Sequence, residues 1–133
     1  MEQLSLIKQR NLVLLPFPFS DQSGKKVRPV IILSNSSYNK NSQDVIVVAV
    51  TSKTTLPNSI LITNNDLVEG FLKINSCAKF DSVLKIHQSL IIKNIGRISV
   101  EKYKMIIKKF NSLIELEIDQ NEEEIRSNNQ NED

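Results

Sequence analysis

Residues 12–35 read LVLLPFPFSDQSGKKVRPVIILSN, and the organisation of the chain is clearest here. Two apolar runs, at 12–15 and 30–33, have the length and the branched side chains of β-strands. The insert between them contains Asp, Ser and Gly, which favour turns. Pro29 disfavours helix at the residue before it. The stretch therefore predicts a hairpin-like unit whose loop enters the second strand with a basic, anion-holding cluster, Lys25, Lys26 and Arg28.

A further apolar run, VIVVAV at residues 45–50, predicts a strand buried on both faces, since it is continuous and rich in valine. It ends abruptly at Thr51, Ser52 and Lys53. Two hydroxyls and an ammonium group at the end of a buried strand can contact a bound ligand. The same pattern also arises where a strand simply reaches solvent.

Shorter patterns fill the region between these runs and the C-terminal part. Residues 36–44 are polar and are expected to form a loop, and 59–63 predict a short strand. Apolar and polar residues roughly alternate from 73 to 86, which is typical of strands with one wet face. Several short strands at close spacing favour a barrel or sandwich, and no strand–helix alternation suggests a doubly wound α/β fold.

The C-terminal part predicts one helix. Ser99 is a suitable N-cap, and Gly96 just before it fits a bulge or tight bend. Apolar residues then recur at steps of three and four, which predicts one helix face packed on the barrel: Tyr103, Ile106, Ile107, Phe110, Leu113 and Ile114.

Length and composition indicate a single domain of 133 residues with an aliphatic core. The one cysteine, Cys77, cannot form an internal disulfide and is expected to be a small buried hydrophobe. We find no signal-peptide pattern and no apolar run of the roughly 18 residues that span a bilayer. The expected location is the cytoplasm, without a membrane partner.

The formal net charge of +2 hides a strong asymmetry. Residues 115–133 contain eight acids and one base, which leaves 16 bases and seven acids, a net charge of +9, in residues 1–114. A basic body favours polyanion binding. The acidic tail, 115–133, has few apolar residues after Ile118 and is expected to be disordered or a frayed helix extension.

The types of chemistry that the sequence lacks are also informative. The single histidine, His87, excludes a His-pair ribonuclease and is expected to be a surface loop residue. No His, Cys, Asp and Glu cluster has metal-ligand spacing, and neither a Walker loop nor a Gly-x-Ser-x-Gly elbow is present. We expect no metal or other cofactor. Catalysis would have to use Arg, Lys, Thr, Ser and backbone amides, which stabilise phosphate charge better than they activate water.

Three motifs in order resemble the MazF/PemK-type toxins of bacterial toxin–antitoxin systems. The first is the Leu-Pro-Phe-Pro-Phe opening at 15–19 with the Ser-Gly loop and Arg28-Pro29. The second is VVAVTSK at 47–53, and the third is IGRIS at 95–99, ahead of the terminal helix. The resemblance covers roughly residues 9–114. Many members begin the first strand with Gly-Asp, where this chain has Arg-Asn.

The resemblance implies a mainly β fold, an SH3-like small barrel of the MazF/CcdB toxin type with a C-terminal helix, in residues 1–114. It also implies a homodimer that cleaves single-stranded RNA without a metal ion. The 2′-OH of the RNA would be the nucleophile, and the products would carry 2′,3′-cyclic phosphate and 5′-OH ends. A cognate antitoxin, with an acidic or apolar tail, would cover the RNA groove.

Carried over residue by residue, the resemblance makes Arg28 and Thr51 the catalytic pair. A guanidinium is a poor base, so we weight charge stabilisation by Arg28 above proton transfer. The Glu that some members place five residues before the Arg is Ser23 here. Phe17 is a candidate for base stacking, although core or dimer packing is the commoner use of such a residue. The predicted substrate-binding residues are Ser23, Lys25, Lys26, Ser52, Lys53 and Phe17.

Two other functions remain open at this point. A CcdB-like toxin that binds gyrase has the same fold but engages its target through a tryptophan near the C-terminus, and this chain has no tryptophan. A catalytically weak RNA-binding module is the other alternative, and the presence of both Arg28 and Thr51 argues against it. Incubation with RNA in EDTA would distinguish the three.

Overall fold

The computed structural model describes residues 7–16 and 27–122. Seven strands form one antiparallel sheet, in which β1 (Asn11–Pro16) and β2 (Val27–Ile32) are the predicted pair. A short helix, α1 (Ser36–Lys40), leads to β3 (Asp44–Thr51). The chain continues through β4 (Ser59–Ile62), β5 (Leu67–Gly70), β6 (Ser76–His87), β7 (Lys93–Ile98) and α2 (Val100–Leu113). The prediction of a mainly β fold with a C-terminal helix is confirmed.

The order of the strands requires the sheet to curl. The order is β4-β6-β3-β2-β1-β7-β5, so β4 and β5 lie at opposite edges. In a flat sheet, seven strands at ~4.8 Å spacing would separate these edges by about 29 Å. Yet only residues 63–66 connect β4 to β5, a link that spans at most about 18 Å. The two edges must therefore approach each other, which gives the open, half-barrel form of the predicted barrel.

Both faces of the sheet are buried, as the continuous valine run predicts. One core cluster lies inside the curl and includes Leu12, Ile31 and Val48. A second cluster on alternate positions of the same strands includes Val13, Val30 and Val47. Because β3 contributes side chains to both clusters, it is a central strand with no wet face over most of its length.

Helix α2 closes the inner core and begins as predicted. The Ser99 side chain caps it by accepting a hydrogen bond from the Lys102 amide at 3.1 Å. Ile106 is completely buried, and Tyr103, Ile107 and Phe110 pack against the inner cluster. The prediction is wrong for the last turn, because Leu113 and Ile114 are exposed. The helix extends past the edge of the core that its first three turns cover.

Three local predictions need correction. Residues 36–44 were expected to form a loop, but Asn35 caps α1 there by accepting a hydrogen bond from the Tyr38 amide. Strand β5 was not predicted. The alternation over 73–86 belongs to one long strand, β6, only from Ser76 onward, and the pairing of β6 with β3 shifts register between Val48 and Ala49. The bulge expected near Gly96 is confirmed, since the β1–β7 register also shifts there.

Candidate functional site

A groove of about 920 Å³ opens at one end of the sheet, and we call it the strand-end groove. It lies where β1 and β3 end and where β2 and β7 begin, and the loop after β5 closes one side. Residues from five separate parts of the chain therefore meet there. Its lining includes all four predicted site residues that the structure describes, Arg28, Thr51, Ser52 and Lys53.

Strand β2 positions Arg28. The residue is half-buried and pairs with Leu15 of β1. Pairing with β1 continues along β2 as far as Val27, whereas pairing with β3 ends at Val30. Pro29 has no backbone N–H with which to extend a ladder. The two strands thus stop pairing at the point where the groove begins, and Arg28 lies at that opening.

Thr51 is the last residue of β3 and pairs with Cys77 of β6. Its hydroxyl oxygen accepts a hydrogen bond from the Lys53 amide at 3.1 Å, which fixes the turn that carries Lys53 into the groove. Cys77 is buried, as predicted, and supports the end of β3 from its other side. The threonine hydroxyl and the ammonium group that follows it are therefore held by one local turn.

The strand-end groove is cationic. Four of the described residues that line it are Arg or Lys, and none of them is Asp or Glu. These cations come from four different segments: Arg28, Lys53, Lys73 and Lys93. Positive charge in a concave site concentrates the field and attracts anions from solution. The groove is thus suited to a ligand with several negative charges, such as a nucleic-acid backbone.

The remaining predicted binding residues, Phe17, Ser23, Lys25 and Lys26, lie outside the described residues. Sequence reasoning missed Phe71, Lys73, Lys93 and Asn94, which line the groove. They belong to the loop after β5 and to β7, far along the chain from Arg28. The pairing of β7 with β1 and of β5 with β7 brings them to the groove, so no local pattern could have identified them.

His87 is not part of this groove lining. It ends β6, is exposed, and its Nδ1 atom accepts a hydrogen bond from the Ser89 amide at 3.1 Å. This bond caps the 3-10 turn that follows, so the residue has a structural use. Within residues 7–16 and 27–122, no three His, Cys, Asp or Glu side chains are grouped so that they could hold a metal ion.

The family model of PemK-like, MazF-like toxins of type II toxin–antitoxin systems matches residues 8–114. The chain belongs to this toxin family. The match begins just before β1 and ends just after α2, so it contains the seven strands of the sheet together with α1 and α2. No match was found among curated proteins. Residues 115–122, which follow the match, are exposed.

Solved structures of MazF toxins have the same fold. The chain is similar to the Mycobacterium tuberculosis toxin MazF-mt6, with a TM-score of 0.64 and 19% identity over 82% of this chain and 100% of that one. It is also similar to a MazE-MazF structure from Deinococcus radiodurans, with a TM-score of 0.64 and 18% identity over 84% and 97%. A third match is an endoribonuclease in complex with its cognate antitoxin from a mycobacterial species, with a TM-score of 0.65 and 13% identity over 85% and 97%.

These likenesses confirm the fold of this MazF-like chain, a curled antiparallel sheet with a C-terminal helix. In the part of the chain that the structure describes, no helix is both long enough and apolar enough to cross a membrane.

Proposed function

We propose that this MazF-like toxin is an endoribonuclease that cleaves single-stranded RNA without a metal ion. The observation that carries the proposal is that Arg28 and Thr51 line one groove, whose described lining has four cations and no carboxylate. Membership of the toxin family supports it. So does the structural likeness to a protein described as an endoribonuclease.

Substrate binding would rest on the cations around Arg28. Lys53, Lys73 and Lys93 line the groove from three different segments of the chain and suit contacts with successive phosphates. Such contacts hold the backbone in place without reading sequence. Single-stranded RNA is a polyanion that also contains the nucleophile, because each 2′-OH lies beside the next phosphorus atom.

The chemical step we propose is an internal transesterification. The 2′-oxygen attacks the adjacent phosphorus, a new P–O2′ bond forms, and the P–O5′ bond breaks. The 2′-OH loses its proton and the departing 5′-oxygen gains one, so the products end in a 2′,3′-cyclic phosphate and a 5′-OH. Because nucleophile and electrophile belong to one molecule, alignment alone supplies a large part of the rate enhancement.

Arg28 would stabilise the charge that develops on the phosphate oxygens during this step. A guanidinium is planar, permanently charged and able to donate two parallel hydrogen bonds, which suits a phosphate in its transition state. Thr51 would donate a hydrogen bond to one phosphate oxygen, while its own oxygen accepts the bond from the Lys53 amide. Ser52, exposed beside them, is the second candidate for that donor.

We also propose a cognate antitoxin and a homodimer. Two of the similar structures are described as complexes, a MazE-MazF assembly and an endoribonuclease with its cognate antitoxin. A cationic groove with apolar residues at its mouth is complementary to a segment that is both acidic and apolar. In this proposal residues 1–114 are the toxin domain, and 115–133 are an acidic tail outside it.

End mapping of a long RNA tests the enzymatic proposal directly. Purified protein is incubated with the RNA, and both the position and the chemistry of the new ends are determined, with the Arg28→Lys variant as control. We expect a small set of cuts with 2′,3′-cyclic phosphate and 5′-OH ends that are lost in the variant. Intact RNA after incubation with an excess of folded wild-type protein would refute the proposal. Binding without cleavage would instead make the chain an RNA-binding module.

A further inference from the structure

Two large apolar side chains stand exposed at the mouth of the strand-end groove. Phe71 is 63% exposed and Ile74 is 65% exposed, and both line the groove. Both belong to the loop between β5 and β6. An exposed aromatic ring beside a cationic groove requires a reason, since a ring that only filled space would be more stable in the core.

The backbone on both sides of Phe71 is fixed. Gly70 has φ +84°, and a Cβ atom there would lie 2.1 Å from the Ile95 carbonyl oxygen, so β5 and β7 approach closely at this point. On the other side, Leu72 is buried. Its amide donates to the Asn64 side chain at 2.7 Å, and the Asn64 amide group donates back to the Leu72 carbonyl at 3.0 Å.

The anchoring of the residues on both sides limits the positions that the Phe71 ring can take. Because the residues before and after Phe71 are held by backbone packing and by two hydrogen bonds, the backbone at Phe71 is fixed, and its ring is exposed in the groove lining. The Phe71 amide itself donates to the Ile95 carbonyl at 3.4 Å. The loop therefore presents a ring to the groove in a nearly preformed position, which lowers the entropy cost of binding something against it.

The charges around the ring favour a nucleotide as its occupant. Lys73 and Lys93 line the same groove, and none of the described lining residues is acidic. A flat apolar ring beside ammonium groups can bind both parts of one nucleotide. The ring stacks on the π-face of the base, and the ammonium groups contact the phosphate. A purely apolar protein segment would leave these cations without partners, and a purely acidic segment would leave the ring exposed. The acidic and apolar antitoxin segment proposed above would cover the same surface in competition with the RNA.

We propose that Phe71 is a base-stacking residue for the RNA, with Ile74 extending the apolar surface on which the base lies. This rests on the proposed ribonuclease function and adds a binding subsite to it. Stacking accepts any base, so Phe71 would contribute affinity and hold the strand in place more than it would select sequence. The lysines at 73 and 93 would contact the phosphates next to the stacked nucleotide.

A fluorescent variant tests the contact itself. The chain has no tryptophan, so Phe71→Trp introduces a single indole at the proposed stacking position. The probe is a single-stranded RNA oligonucleotide with every 2′-OH methylated, which cannot be cleaved by 2′-OH attack. We expect its binding to quench the indole emission. The matched control is Val68→Trp, at a residue on β5 that is 59% exposed and lies outside the groove lining, and its emission should stay nearly constant.

Affinity measurements separate stacking from charge. Phe71→Ala should weaken binding of the same oligonucleotide by between about 5-fold and 150-fold, the loss typical of removing one stacked base. The slope of log affinity against log salt should not change. Lys73→Ala should instead lower the magnitude of that slope by about one phosphate contact. Phe71→Tyr should bind like wild type, whereas Phe71→Leu should bind like the alanine variant.

The outcomes distinguish this inference from the proposed function. If wild type cleaves RNA and Phe71→Ala binds within about twofold of it, the stacking role is wrong while the ribonuclease stands. If Phe71→Ala instead changes the oligomeric state in sedimentation, the ring belongs to a protein interface and the inference fails. If the oligonucleotide binds and quenches Phe71→Trp but wild type cuts no RNA, the stacking site stands and the ribonuclease does not.

Discussion

Arg28 of β2 and Thr51 of β3 line the same groove, just beyond the last residues that pair the two strands. The register pairs Ile32 with Val47, Ile31 with Val48 and Val30 with Ala49, and the ladder then ends. The chain thus brings a guanidinium and a hydroxyl into one groove at the point where the ladder has opened.

Arg28→Lys should lower RNA cleavage by at least about a hundredfold, the scale of losing one preorganised donor to a transition-state oxyanion. Lysine retains the charge but cannot form the planar, two-pronged contact with phosphate. The measurement is single-turnover cleavage at saturating enzyme, so that weaker binding does not mask the effect. Cleavage by this variant at the wild-type rate would show that Arg28 is not the group that stabilises the transition state.

The matched control for this substitution is Arg97→Lys. Arg97 lies on β7, is half-buried, and donates to the Gln9 carbonyl at 3.4 Å, outside the groove lining. We expect its cleavage rate to stay within a few-fold of wild type.

Thr51→Val removes the hydroxyl and retains the shape of the side chain. It should slow cleavage by between about 10-fold and 100-fold, because a hydrogen bond to a charged phosphate oxygen is lost. Thr51→Ser retains the hydroxyl, together with its bond from the Lys53 amide, and should keep most of the activity. Equal rates for the valine and serine variants would remove Thr51 from the proposed site.

Cleavage should continue unchanged in excess EDTA. The four cations of the groove oppose the entry of a divalent metal ion, and its described lining offers no carboxylate to hold one. The assay is the initial rate with EDTA alone and with added Mg²⁺. Abolition by EDTA with recovery in Mg²⁺ would require a metal-dependent mechanism.

Tyr103 should make the fold sensitive to high pH. Burial raises the pKa of its hydroxyl, and the hydrogen bond from Gln9 lowers it by a smaller amount. The hydroxyl also donates to the Leu33 carbonyl at 2.8 Å, which ties α2 to the end of β2. Since the folded state favours the neutral phenol, its contribution is complete below the tyrosine pKa of about 10 in unfolded chains and decreases as pH rises above it.

Urea unfolding at about pH 8 and about pH 10.5 measures this effect on either side of the unfolded-state pKa. Tyr103→Phe should lower the free energy of unfolding by about 1–2 kcal/mol at the lower pH, through its lost hydrogen bonds. The free energy of unfolding of Tyr103→Phe should also fall less between the two pH values than that of wild type. Tyr38→Phe controls for the loss of a phenol elsewhere in the chain. A decline in Tyr103→Phe as steep as that of wild type would contradict this account.

Much of the fold could be predicted from local pattern. Valine runs and alternation identify β1, β2, β3 and β6, and Ser99 with the apolar spacing after it identifies α2. The elements that were missed or misassigned depend on distant partners or on single capping bonds. Strand β5 exists because it pairs with β7 across the curl, and α1 depends on the cap that Asn35 provides.

The site could be predicted only where its residues lie in recognisable motifs. Arg28 and the residues from Thr51 to Lys53 lie at the ends of strands that the sequence predicts clearly. Their presence in one groove therefore follows once the strands pair. Phe71 and Lys93 do not lie in any motif that identifies them. Phe71 reaches the groove through the close approach of Gly70 to Gly96, and Lys93 reaches it through the pairing of β7 with β1, and both are properties of the folded sheet.

The identity of the nucleophile is the central claim, and one substrate tests it. This is an otherwise all-RNA oligonucleotide with a single 2′-deoxy nucleotide immediately 5′ of the scissile phosphate. It retains every phosphate and should bind with nearly unchanged affinity. We predict that it resists cleavage at that bond and nowhere else. Cleavage there at the normal rate would mean that water attacks the phosphorus, and the roles assigned to Arg28 and Thr51 would be contradicted.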